Sequence, residues 1–137
     1  MRRFATTAIM GALMACGGGG GDTCQQGVSL LQSEDAKIKS CGDSPNEEAT
    51  ENAVAADITS AQTDEQSCET GLKSCTPAEM STLSSFVSCE QSVVAELQCT
   101  WFTEADVTTD PSYQKYQSDG NACLAKLDSV SAACKGD

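Results

Sequence analysis

The chain contains no histidine. The side chain that most often serves as general base or metal ligand near neutral pH is therefore absent. No serine stands in a G-x-S-x-G turn, so the nucleophile elbow of the α/β hydrolases is excluded. No two cysteines are spaced C-x-x-C, the motif expected of a thiol–disulfide enzyme. The glycine run Gly17–Gly21 is not followed by Gly-Lys-Ser/Thr and cannot be read as a phosphate loop. No alternating run of β-branched residues lies between turn signals, so no strand is expected. Positive charge is scarce: 8 Lys+Arg stand against 20 Asp+Glu, for a net charge of −12. Such a surface repels nucleic acid and anionic lipid headgroups. The acids serve as a solvated exterior, or alternatively sequester cations or attract a basic partner.

What is present begins at the N-terminus. Met1-Arg2-Arg3 is followed by an apolar stretch from Phe4 to Ala15, then Cys16 and five glycines. A helix needs roughly 20 apolar residues to span a bilayer, and this stretch is too short. Charge, short apolar run, Leu13, small Ala15 and Cys16 follow in the order of an export signal. Leu13-Met14-Ala15-Cys16 resembles the lipobox of bacterial lipoproteins, a resemblance confined to residues 1–17. It implies that residues 1–15 are a signal peptide and that Cys16 is lipidated, anchoring the protein to the membrane with two or three acyl chains. Gly17, rather than Asp, in the next position implies the outer membrane of the bacterial cell envelope. Residues 16–23 then form a Gly-rich tether with a reach of roughly 15 Å, and residues 24–137 a Cys-rich domain.

Removal of residues 1–15 takes both arginines and leaves 122 residues, with 6 Lys against 20 acids, a net charge of −14. Only 18 of those 122 residues are Leu, Ile, Val or Phe, a proportion that by itself tends toward disorder. The cysteines reverse that tendency. Eight remain after Cys16, an even number that reads as a disulfide framework in an exported protein. Each bridge contributes about 2–4 kcal/mol, largely by restricting the unfolded chain.

The three prolines mark helix starts. Each follows an N-cap residue: Ser44-Pro45, Thr76-Pro77 and Asp110-Pro111. The first two pairs are also followed by Glu in the capping-box position. The apolar spacing between these points is helical. A first segment carries Val28, Leu31, Ile38 and Cys41 and ends at Gly42. A second, from Pro45, is rich in Ala and Glu, with Val54 and Ile58 four apart. A third carries Met80, Leu83, Val87, Val94, Leu97 and Trp101, with Glu90 interrupting one slot. A fourth carries Tyr113, Tyr116, Cys123, Leu127, Val130 and Cys134, with a kink or restart expected at Gly120. The fold expected is all-α: a disulfide-stapled up-down bundle of about four helices, in two helical hairpins.

Facing residues of an antiparallel hairpin have a nearly constant index sum. Cys89 with Cys134 gives 223 and Cys99 with Cys123 gives 222, placing the turn near residue 111. These two bridges are therefore expected. The arrangement resembles the twin-cysteine helical hairpins of coiled-coil-helix proteins, in architecture only. For the first half, Cys24–Cys68 and Cys41–Cys75 are the expected pairs.

No catalytic, cofactor or metal-binding residue is assigned, and a non-catalytic module that binds an envelope protein or scaffolds the surface is the expected function. Glu104, Asp106 and Asp110 offer oxygen ligands of the type that suits calcium, without the EF-hand order, and also read as a solvated loop. A small hydrolase working through paired carboxylates is a further alternative, although no pair stands out. Trp101, Phe102, Tyr113 and Tyr116 flank the same loop. They either close the end of the bundle or form an interaction patch at the hairpin tip.

Overall fold

The computed structural model describes residues 21–42, 44–63, 72–103 and 106–135. All regular structure among them is helical. Four α-helices form the body: α1 (Gly21–Lys39), α2 (Pro45–Thr63), α3 (Pro77–Glu96) and α4 (Pro111–Leu124). Two 3-10 turns, Cys99–Phe102 and Val107–Thr109, lie between α3 and α4. A third, Ala125–Ser129, leads to the short terminal helix α5 (Ala132–Lys135). Among the described residues no helix is long and apolar enough to cross a membrane.

The three proline starts are real helix starts, because each preceding side chain satisfies otherwise orphaned amides. The Ser44 hydroxyl accepts from the Glu47 N–H at 3.1 Å. Thr76 and Glu79 form a reciprocal capping box, and the second oxygen of Glu79 accepts from the Ser131 N–H at 2.9 Å. That carboxylate thus ties the start of α3 to the segment before α5. The Asp110 carboxylate accepts from the Ser112 and Tyr113 amides. Gly42 ends the turn after α1 with φ +101°, where a side chain would be strained. α1 begins at Gly21, so residues 21–23 of the expected tether belong to the folded domain. α4 runs without a break through Gly120, so no restart occurs there.

α1 packs on α2, α3 on α4, and α1 on α3. Lys39 at the end of α1 pairs with Glu51 near the start of α2, and Lys115 near the start of α4 pairs with Glu96 at the end of α3. Each pair is therefore an antiparallel hairpin. The two hairpins join at one end of the bundle. There Lys37 donates to the Ala95 carbonyl, Asn46 donates to the Phe102 carbonyl at 3.1 Å, and Cys41 is bonded to Cys99. The result is an up-down-up-down bundle around a core that includes Ile38, Val54, Leu72, Leu83, Phe86, Val93, Trp101 and Leu127. The buried stripe of α3 takes in Phe86 and Val93 beside the expected positions.

The bridges correct the expected pairing. They join Cys41 to Cys99, Cys75 to Cys134 and Cys89 to Cys123, not Cys89 to Cys134, Cys99 to Cys123 or Cys41 to Cys75. The constant-sum principle holds, but with another constant. The residue numbers add to 212 for Cys89–Cys123, to 209 for Cys75–Cys134 and to 211 for Glu96–Lys115. The hairpin turns midway along the connection between Glu96 and Pro111, not at Pro111, where the helix merely starts. Cys99 lies past the end of α3, in a 3-10 turn, and is free to reach the other hairpin. Cys24 is disulfide-bonded. Its expected partner, Cys68, lies outside the described residues.

Two outcomes are expected. Replacing Cys89 and Cys123 together by Ser should cost about 2–4 kcal/mol of stability, read by denaturant melts followed by circular dichroism. Gly120 sits in a helix interior, and an added Cβ would meet only the Val93 side chain at 4.0 Å. Gly120→Ala should accordingly raise stability by about 0.5–1 kcal/mol in the same melts.

Candidate functional site: the aromatic end and the buried acids

The connection between α3 and α4 folds back over the end of the bundle because its aromatics have apolar surface to bury and polar tips to satisfy. Trp101, Phe102, Tyr113 and Tyr116 are 2%, 3%, 7% and 3% exposed. The Trp101 ring meets Tyr113 edge-on at 5.4 Å and Tyr116 at 5.0 Å. Its indole N–H donates to the Ser112 hydroxyl at 3.2 Å, and that hydroxyl donates to the Asp110 carboxylate. Of the two readings open for these four residues, their burial fits closure of the bundle end rather than an exposed interaction patch. They are core, drawn inward because the bundle has few other large side chains to fill this end.

The described acids of the same connection are engaged in local hydrogen bonds. Asp110 serves as the cap of α4, and its hydrogen bonds from Ser112 and Tyr113 hold its carboxyl below the ordinary range. Asp106 accepts from the Thr108 hydroxyl. Glu104 lies outside the described residues. Among the described residues no group of three or more Cys, Asp or Glu side chains is arranged to hold a metal ion.

The unusual chemistry lies deeper. Glu34 of α1 is 2% exposed and Glu90 of α3 is 0% exposed. Both oxygens of Glu90 are enclosed without a hydrogen-bond partner. Burial, reinforced by the nearby charges of Glu90, Asp57 and Asp35, raises the Glu34 carboxyl to about 8. Burial raises Glu90 to about 7. Burial also raises Asp57 of α2, half-buried at the edge of this group. Tyr116 of α4 feels burial and then both glutamates, which push its hydroxyl above the usual range. Each of the four helices thus contributes at least one titratable group to a single electrostatic cluster. An ionised carboxylate without a countercharge or donor is costly in such a place, so the pair is driven toward its neutral form.

The Glu90 half of the pair has a plain signature in the sequence, an acid in a slot of the apolar stripe between Val87 and Val94. Glu34 stands in the same relation to Leu31 and Ile38, a position that the apolar spacing of α1 alone does not bring forward. Two acids, each replacing an apolar residue on its own helix, are the signal by which the pair can be found. The cluster holds paired carboxyls of the type a hydrolase would need, but both are closed off from solvent. What the arrangement can do chemically is take up and release protons in the interior.

Comparison of the chain with known protein families, with characterised proteins and with solved structures finds no match.

Because Trp101 is enclosed, Trp101→Ala should destabilise the domain by about 3–5 kcal/mol. Thermal melts would show a large drop in midpoint. An unchanged melt would return the residue to the role of a surface contact.

Proposed function

We propose that the chain is a lipid-anchored protein of the bacterial cell envelope, held by Cys16 in the outer membrane. In this reading its acidic helical domain is a non-catalytic module that binds an envelope protein or scaffolds the surface. The observation that carries the reading is the division of labour among the cysteines. Every described cysteine is disulfide-bonded, as suits a chain exported to an oxidising compartment. Cys16 stands apart from these, at the end of the short apolar run and behind two arginines.

The first described helix begins at Gly21, five residues beyond Cys16, and in this reading so short a connection keeps the module close to the bilayer. Its acidic exterior disfavours contact with anionic headgroups and nucleic acid and favours a partner with a basic face.

Cys16→Ser should abolish incorporation of labelled fatty acid and move the chain from the membrane fraction to the soluble fraction, or leave it unprocessed. The secreted domain should keep its wild-type melt, because the four described helices lie C-terminal to Cys16. Membrane partitioning equal to wild type would refute the anchor.

A further inference from the structure

We propose that Glu34 and Glu90 form a proton-operated latch between the two helical hairpins: with protons bound the hairpins close on one another, and with protons released they part along the α1–α3 seam while the disulfides keep the chain tethered. The inference concerns regulation of the fold and stands independently of the lipid anchor.

The two acids come from the two helices through which the hairpins meet, α1 and α3. Both are enclosed, and Glu90 has no donor to either oxygen. The charged groups acting on Glu34 are Glu90 across the seam, Asp57 from α2 and Asp35 from α1 itself, all acids. From α4 the facing group is Tyr116, with Tyr113 beside it. The 3-10 turn Ala125–Ser129 also packs on α3 and carries Lys126 and Asp128, but neither acts on Glu34 or Glu90. The nearby lysines are engaged elsewhere: Lys39 with Asp35 and Glu51, Lys37 with the Ala95 carbonyl, and Lys115 with Glu96 and Asp119. Deprotonation therefore sets uncompensated like charges facing one another in a low-dielectric interior.

The cross-links decide which interface can yield. Cys89, adjacent to Glu90, is bonded to Cys123 of α4, and Cys75–Cys134 closes the far end of the same hairpin. α3 and α4 are thus stapled together at two levels. Among the bridges whose two ends are described, Cys41–Cys99 is the one between the hairpins; it lies at one end of the bundle and is the natural hinge. The α1–α3 seam at the level of Glu34 and Glu90 relies on packing.

The pH window follows from linkage. Above pH 4.5 the unfolded chain has released these protons while the closed bundle still holds them, so stability falls as pH rises. The loss continues up to about 7 for Glu90 and about 8 for Glu34 and then levels off.

The experiment uses the disulfide-intact chain and its Glu34→Gln, Glu90→Gln double variant, melted from pH 4.5 to 9. The wild-type folding constant should fall between about tenfold and a hundredfold per pH unit through this window, the slopes for one and two protons. Amide exchange should rise in α1 and α3 at pH 8.5 while far-ultraviolet dichroism stays helical. The double variant should lose most of that slope and be the more stable form at pH 8.5. A matched variant at exposed positions, Glu48→Gln with Asp128→Asn, should keep it. A double variant with the wild-type slope would overturn the proposal, as would equal flattening by the surface variant. Carbon-13 titration of the wild-type side-chain carboxyls decides the matter even if the double variant does not fold. Two midpoints above pH 6 support the latch, and midpoints all below pH 5.5 refute it.

Discussion

The covalent bond between Cys41 and Cys99 joins the two hairpins at the end of the bundle where α1 and α3 finish, and fixes the frame in which a sparse core can pack. Too few large apolar side chains are available for the core of a domain this size. The three bridges whose two ends are described join segments distant in the chain, with sequence separations of 34, 58 and 59 residues. Closing loops of that length removes more freedom from the unfolded chain than closing short ones does. The core is then asked only to select one arrangement from an ensemble already restricted. That division explains how a bundle can tolerate two enclosed acids in apolar slots. The stability they forfeit is offset by constraint on the unfolded state rather than by further packing.

Local structure is legible in the sequence wherever one residue or a short motif decides it. Ser44, Thr76 and Asp110 announce their helices because capping is a local hydrogen-bond problem. The all-α class and the two hairpins follow from apolar spacing. The bridges are not legible, for a physical reason. Index sums do relate facing residues of a hairpin, but their constant depends on where the connection turns. Two 3-10 turns between Glu96 and Pro111 move that point by several residues, enough to give Cys89, Cys123 and Cys134 other partners. Spacing alone does not reveal that Cys99 leaves α3 and faces the first hairpin. The pairings follow from tertiary closure, which no local rule contains.

The aromatics and the acids differ in how sequence pattern relates to burial. Clustering of Trp101, Phe102, Tyr113 and Tyr116 in sequence carries two meanings, surface recognition or core closure, and only burial distinguishes them. Here the indole finds its partner in Ser112, itself held by the Asp110 cap, so the same carboxylate that starts α4 completes the polar chain from the buried ring. Glu34 and Glu90 are the converse case. An acid in a helix ordinarily reads as exterior, yet its register within an apolar stripe outranks its charge. Glu90 looks like an interruption of the α3 pattern and is a member of it.

These two kinds of acid act on stability in opposite directions. The Glu79 carboxylate, held at about 2 by hydrogen bonds from Ser131 and Thr76, favours the fold when ionised, and Asp110 does the same at the head of α4. Protonating them below the ordinary carboxylate range releases both constraints. Glu34 and Glu90 favour the fold when neutral. The closed bundle is therefore bounded by surface caps on the acid side and by core carboxyls on the alkaline side. The repulsion of a strongly acidic exterior adds to the alkaline limit. Those three effects converge on a mildly acidic optimum, and only the core pair lies between the hairpins, where a change of charge becomes a change of interface.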